Sequence, residues 1–300
     1  MNQLPRLPSV KDIIQIYKLS ANQSLSQNFI LDKNVTDKLV KKAKLNLEKS
    51  LVIEVGPGPG LLTRSLLESG VENLVVIEKD ERFLPTLNQL KDAVPSRLKI
   101  IHGDMLQVNY NNILETVGLS HNSVDRVHLV GNLPFNVATP LLLQWLNMVY
   151  NKNDYFQYLD STMTLMFQKE VAERIASPAD IKQRSRLSIM SQAICSANVI
   201  YKVPSSSFVP KPKVDGWVAQ LTPNSNRYQL ESYERLERVL RVFFLKRRKT
   251  IRRIATDYDP QLYQLIKELN WDETKRPENI SVEQFCKLTN VIHSNYPDLV

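Results

Sequence analysis

The chain has 300 residues, 43% of them apolar, and a formal net charge of +8. That length and apolar content suffice for a packed core and predict two domains of ordinary size, while the charge points to an anionic partner such as nucleic acid or an acidic membrane face. With only 2 cysteines, Cys195 and Cys286, a disulfide framework is excluded; no Cys/His cluster has metal-ligand spacing and no stretch has the length of a membrane span, so a soluble, metal-free protein of a reducing compartment is expected.

Ser9 is placed to cap a helix over 10–17, with Ile13, Ile14 and Ile16 available for burial. Arg6, Lys11 and Lys18 against Asp12 give the segment a faint transit-peptide character, but an ordered helix is the expectation. Short apolar runs at 51–55, 74–77, 98–101 and 127–130 then alternate with helical or loop segments. Such runs suit strands buried on both faces of a parallel sheet. A fifth, 163–167, precedes a helical stretch from Gln168 to about Ser177, and 199–203 and 217–221 bracket a Ser- and Pro-rich loop as two late, antiparallel strands. An α/β sheet of about seven strands follows, with ligands in the crevice beyond the strands' carboxyl ends. Beyond Pro223, Leu230, Tyr233, Leu236, Val239, Leu240, Phe243 and Phe244 recur at helical spacing. The expected division is therefore a sheet domain, 1–223, and a small all-helical domain, 224–300. Lys246, Arg247, Arg248, Lys249, Arg252 and Arg253 put basic side chains around most of one helix there, which on composition alone reads equally as a solvated face.

Glu54-Val55-Gly56-Pro57-Gly58-Pro59-Gly60 lies between the 51–55 strand and a helix over 61–67. Glycine at every second position lets a ligand approach where a Cβ would collide. Dinucleotide folds space the third glycine one residue later and bind a pyrophosphate. With the third glycine early and an acid in front, the pattern resembles the first motif of S-adenosylmethionine (SAM) methyltransferases. Glu78, at the end of the 74–77 strand, is placed to accept both ribose hydroxyls, in a methyltransferase or a dehydrogenase alike. Asp104 ends the next strand, suited to accept from the cofactor adenine's amino group, with Met105 against the ring.

Asn132-Leu133-Pro134-Phe135 follows the 127–130 strand and resembles the tetrapeptide of enzymes that methylate exocyclic amino groups of bases. Adenine N6 is a poor nucleophile because its lone pair is delocalised into the ring. Two acceptors, the Asn132 side-chain oxygen and the Leu133 carbonyl, would take its two hydrogens and localise that pair toward the methyl group. Pro134 restricts Leu133 to an extended conformation, and Phe135 offers an unstacked base a stacking surface. The sulfonium is already activated, so alignment carries the reaction without a metal.

Together these motifs resemble the dimethyladenosine transferases of small-subunit ribosomal RNA, similar in turn to the Erm rRNA methylases, over nearly the whole chain. Residues 26–32 parallel that family's G-Q-N-F-L-x-D entry motif, with Ser26 and Ile30 as departures, and 207–215 parallel its F-x-P-x-P-x-V motif. The resemblance implies that Asn28, Ile30, Gly56, Glu78, Lys79, Asp104, Met105 and Asn132 touch SAM, and that Phe208 closes the other face of the target adenine. It raises the basic run at 246–253 to an RNA contact. Phe135, the 167–174 segment and 182–188 look like the mitochondrial branch, which includes proteins also called mitochondrial transcription factor B. That branch implies a matrix enzyme dimethylating N6 of two adjacent adenines in a hairpin loop near the 3′ end of small-subunit rRNA. Nothing suggests an obligate protein partner, so a monomer is expected. Two other readings compete: a transcription or ribosome-assembly factor using the fold as a scaffold, and a nicotinamide-dependent oxidoreductase, which Glu78 allows but the glycine spacing does not.

Overall fold

The computed structural model describes residues 4, 9–16, 28–120, 123–153, 156, 160–225 and 227–300. Helix α1, Val10–Ile16, starts where the sequence places it: the Ser9 hydroxyl accepts from Asp12 N at 3.1 Å, and Ser9 N donates back to the Asp12 carboxylate at 3.2 Å. Tyr17, Arg6, Lys18 and the side chains of Lys11, Ile13 and Ile16 lie outside the described residues. The short strand β1, Phe29–Ile30, leads to α2, Lys33–Ala43, which Asp32 caps by accepting from Asn34 N at 2.9 Å.

Strands and helices then alternate: β2 (Ser50–Val55), α3 (Leu61–Glu68), β3 (Leu74–Glu78), α4 (Leu84–Ala93), β4 (Leu98–His102), α5 (Tyr110–Val117), β5 (Arg126–Gly131), α6 (Phe135–Asn151), β6 (Thr162–Gln168), α7 (Lys169–Ala176) and α8 (Arg186–Ile194). There follow β7 (Cys195–Val203), β8 (Phe208–Val209), β9 (Gly216–Pro223), α9 (Tyr233–Leu245), α10 (Ile251–Tyr258), α11 (Pro260–Glu268) and α12 (Val282–Asn295). The main sheet has 7 strands in the order β4-β3-β2-β5-β6-β9-β7. From β4 to β6 all pairs are parallel, and β9 runs antiparallel to β6. The apolar runs become strands because both faces are covered: Val52, Ile53, Val75 and Val76 are 0% exposed, each burial stabilising by about 1.5–3 kcal/mol. After β2 the chain winds outward to β3 and β4, then returns to lay β5 on the other side of β2. That reversal opens a crevice at the carboxyl ends of β2 and β5. A separate ribbon pairs β1 with β8, Ile30 opposite Phe208.

Contacts group the chain into two compact units, Met1–Ala172 with Asn198–Pro223, and Glu173–Ala197 with Asn224–Val300. The sequence reading draws one boundary after Pro223, whereas α8 joins the helical unit by packing against α9 and α12. Arg184, 1% exposed, ties this insertion down by donating to the carbonyls of Ser177 at 3.0 Å and Ile280 at 3.2 Å. Phe243, Trp271 and Phe285 form that unit's aromatic centre, with ring centroids 5.4–5.9 Å apart. Among the described residues no helix is long and apolar enough to cross a membrane.

Candidate active site

The crevice holds a pocket that is partly open to solvent. Asn28, Ile30, Glu54, Gly56, Gly58, Glu78, Asn132 and Pro134 all line it, so residues from four separate stretches of sequence converge. The glycine turn supplies its floor. Gly58 sits at φ +52°, and a Cβ there would meet the Phe29 ring at 3.3 Å; Gly56, at φ +66°, has nothing within 4 Å of its Cβ position. A side chain at either position is strained by its backbone angle alone. Gly60 differs: a Cβ there would strike Leu90 at 2.9 Å, so it serves the packing of α3 on α4 and does not line the pocket.

Glu78 is 5% exposed, and both carboxylate oxygens already accept backbone donors, Oε2 from Gly58 N at 2.9 Å and Oε1 from Asp80 N at 2.8 Å. Each oxygen retains a lone pair for a ligand hydroxyl. Burial raises its pKa despite those donors. Glu54 is buried more deeply, 1% exposed, and its Oε2 has no hydrogen-bond partner among the described residues. Burial first pushes its pKa up to about 8, opposed by the Thr63 hydroxyl, which lowers it, and reinforced by the Glu78 charge. Lys79, Asp104 and Met105 form a neighbouring group at the ends of β3 and β4, outside the pocket lining. There Lys79 Nζ lies 2.8 Å from Asp104 Oδ2, and that hydrogen bond holds the Asp104 carboxyl below the usual range. Asp104 Oδ1 accepts from Leu106 N at 3.0 Å, and Met105 is buried.

Asn132, at the carboxyl end of β5, donates its side-chain Nδ2 to the Asn28 carbonyl at 3.0 Å. A carbonyl can only accept, so this contact fixes which end of the amide faces which way and leaves Oδ1 as the acceptor for anything else in the crevice. Leu133 is buried, and Pro134 (φ −54°, ψ 133°) is the extended residue from which α6 begins. Phe135 opens α6, but its side chain lies outside the described residues. Phe208 lies in the core. It is 2% exposed, its ring so close to Gly216 that a Cβ there would meet it at 2.7 Å, and it belongs to the core with Met166 and Val218. Packing against these neighbours buries its ring.

The basic run also departs from expectation. Lys246, Arg247, Arg248 and Lys249 occupy the turn between α9 and α10, and only Arg252 and Arg253 lie on a helix. Thr250 is the reason: its hydroxyl accepts from Arg253 N at 3.3 Å and starts a new helix. Three of the six cations have partners within their own unit: Lys246 and Arg253 reach Asp257 at 3.4 and 3.0 Å, and Arg247 donates to the Lys182 carbonyl at 2.7 Å beside Glu278. Arg248, Lys249 and Arg252 are exposed without ion pairs among the described residues.

Sequence reasoning missed Phe29 and Thr36 as lining residues and missed the Asn28 carbonyl as the group that orients Asn132. Phe29 packs edge-on against Phe83 at 5.3 Å, a tertiary contact with no local signal. Gly56 leaves room at the pocket floor, and Glu54 lines the pocket with a carboxyl that has one oxygen unpartnered among the described residues. SAM, with its ammonium and sulfonium, fits both features. No group of His, Cys, Asp and Glu among the described residues could hold a metal.

A family model described as ribosomal RNA adenine dimethylase matches residues 18–294. Mitochondrial dimethyladenosine transferase 1 of Bos taurus is 42% identical over 298 residues, covering 96% of this chain and 87% of that one. The Homo sapiens dimethyladenosine transferase 1, mitochondrial, is 41% identical over 298 residues, covering 96% and 86%. Among solved structures, a dimethyladenosine transferase from Plasmodium falciparum superposes with a TM-score of 0.69 at 22% identity, covering 87% of this chain and 96% of that one, which establishes the shared fold. The chain therefore belongs to the ribosomal RNA adenine dimethylase family, in its mitochondrial branch, and is a SAM-dependent methyltransferase.

Proposed function

We propose that this protein, acting as a monomer in the mitochondrial matrix, dimethylates N6 of two adjacent adenines in a 3′-terminal hairpin loop of small-subunit rRNA, and that this supports assembly of the small subunit. The observation that carries the reading is the Asn132 amide, whose nitrogen is held by the Asn28 carbonyl at 3.0 Å and whose oxygen is thereby left to the crevice. In this reading Asn28, Ile30, Glu54, Gly56, Gly58 and Glu78 hold SAM, with Lys79, Asp104 and Met105 toward its adenine. When bound, SAM supplies an activated methyl on a cationic sulfonium.

Asn132 Oδ1 and the Leu133 carbonyl accept the two N6 hydrogens of the extruded adenine, which favours a tetrahedral nitrogen with its lone pair in line with the methyl group. Phe135 stacks on the base. The helical unit supplies phosphate contacts through the turn at 246–249 and the start of α10, with Arg248, Lys249 and Arg252 leading because they have no internal ion pairs. The unpartnered Glu54 oxygen and the oriented Asn132 amide favour an enzyme over a scaffold, which has no physical use for either. The test is incubation with SAM and small-subunit RNA lacking the modification, followed by mass mapping. Two neighbouring dimethyladenines near the 3′ end support the reading, and methylation elsewhere or none at all refutes it.

A further inference from the structure

We propose that Lys169, Lys202 and the Trp217 ring form a second docking site for the phosphodiester backbone of the RNA strand flanking the target adenine, a site on the sheet-bearing unit and distinct from the basic turn of the helical unit. This rests on the rRNA-methylating reading above and adds to it a place where the substrate strand is held.

Lys202 Nζ lies 4.2 Å from the Trp217 ring centroid, and Lys169 Nζ lies 5.5 Å from it. Three different elements bring them together: Lys169 begins α7, Lys202 comes from β7, and Trp217 comes from β9. Both lysines are exposed, and neither has an ion pair among the described residues. Two ammonium groups gathered at one ring repel each other, and the ring's quadrupole offsets only about 0.5–1 kcal/mol for each at an exposed position. The ring positions the stems and leaves the N–H donors free for an anion. Lys211 and Lys213, also exposed, stand on the loop between β8 and β9 and extend the positive surface. Of the acids close in sequence, Asp215 accepts through Oδ1 from Ser205 N at 2.8 Å, and Glu170 and Glu173 follow Lys169 on α7, Glu173 at the i+4 position.

Position selects the anion. Gly131 pairs with Leu165, and Phe167 pairs with Trp217, so the ring sits at the same end of the sheet as Asn132, two strands away. At the usual strand spacing that is about 10 Å across the sheet. It is the side away from β3, which carries Glu78, and from β4, beyond whose end Asp104 lies. A strand that feeds its base to Asn132 carries its adjoining phosphates over the ends of β6 and β9, where the lysines are. A phosphate there neutralises the pair that Trp217 gathers.

The experiment uses the full chain and an unmodified small-subunit RNA hairpin, with affinity measured across a salt series and methyl transfer and SAM affinity measured alongside. For Lys169→Ala/Lys202→Ala, the slope of log K against log salt falls by about 1.4 relative to wild type, the value for two single-strand phosphate contacts. Its KM for RNA rises, kcat at saturating RNA and SAM affinity hold, and Lys169→Arg/Lys202→Arg restores the slope. Removing the exposed pair Lys38 and Lys42 in the same way leaves KM unchanged. An unchanged slope and KM in the Lys169/Lys202 variant, or an equal effect from the Lys38/Lys42 variant, overturns the proposal. Failure of the wild-type chain to methylate the RNA refutes the enzymatic reading instead, while the slope still judges the lysine pair.

Discussion

Under the proposed function, the crevice at the ends of β2 and β5 and the basic turn between α9 and α10 would meet their ligands by opposite means. In the crevice, the proposed chemistry depends on groups held at single positions: Glu54 is 1% exposed, and the half-buried Asn132 amide is pinned by one 3.0 Å hydrogen bond. In the turn and at the start of α10, cations would act through charge that is largely indifferent to ångström placement, and three of the six are already tied to neighbours within the unit. Loss of one such group from the first should therefore cost most of the chemistry. The second should lose affinity in proportion to the charge removed.

The sharpest break in that contrast is Asn132→Ala. Methyl transfer should fall roughly 100- to 1000-fold, the range for removing one group that stabilises a transition state, while RNA affinity stays within about twofold. Parallel single-turnover and binding assays check it, and a variant that still transfers at the wild-type rate would place the amine elsewhere. Next comes the triple reversal Arg248→Glu/Lys249→Glu/Arg252→Glu, for which the salt slope of RNA binding should drop by about 2 with SAM affinity unchanged. Arg247→Glu should do less to that slope and more to thermal stability, because Arg247 is engaged with the Lys182 carbonyl beside Glu278.

A smaller effect follows from Gly58→Ala, where φ +52° and the Phe29 ring at 3.3 Å oppose a methyl group. Strain of about 1–3 kcal/mol should weaken SAM binding by roughly tenfold or more, measured by calorimetry, with RNA affinity preserved. Smallest is the pH response of Glu54. Its folded pKa of about 8 exceeds the ordinary carboxyl value of 4.5, so the ligand-free protein binds an extra proton between those limits. The residue's contribution to stability is fully present below pH 4.5 and is lost as pH rises through 8. Glu54→Gln cannot ionise, so its melting temperature should overtake wild type by a few degrees as pH rises. A difference independent of pH would contradict the assignment.

Local chemistry explains what was legible in the sequence. The apolar runs, the Glu54 to Gly60 turn and the Asn132 to Phe135 tetrapeptide each encode their own geometry within a few residues, and the parallel sheet follows from them. Tertiary choices were not legible. Phe208 sits in a family motif that suggests a base contact, yet core packing against Gly216 and Met166 claims its ring. Gly60 belongs to the glycine pattern, yet Leu87 and Leu90 fill its open side. The basic run reads as one helix because lysine and arginine are good helix formers, and only the Thr250 cap, a signal present but unused, divides it. That α8 packs with the helical unit depends on contacts with α9 and α12 that no local pattern announces.

The most direct measurement is the structure of the complex with an unreactive SAM analogue and the small-subunit hairpin. The account predicts an extruded adenine whose N6 lies about 3 Å from both Asn132 Oδ1 and the Leu133 carbonyl oxygen, with Asn132 Nδ2 still on the Asn28 carbonyl. An amide turned so that its nitrogen faces the base, or a base whose amine points away from residue 132, would contradict it.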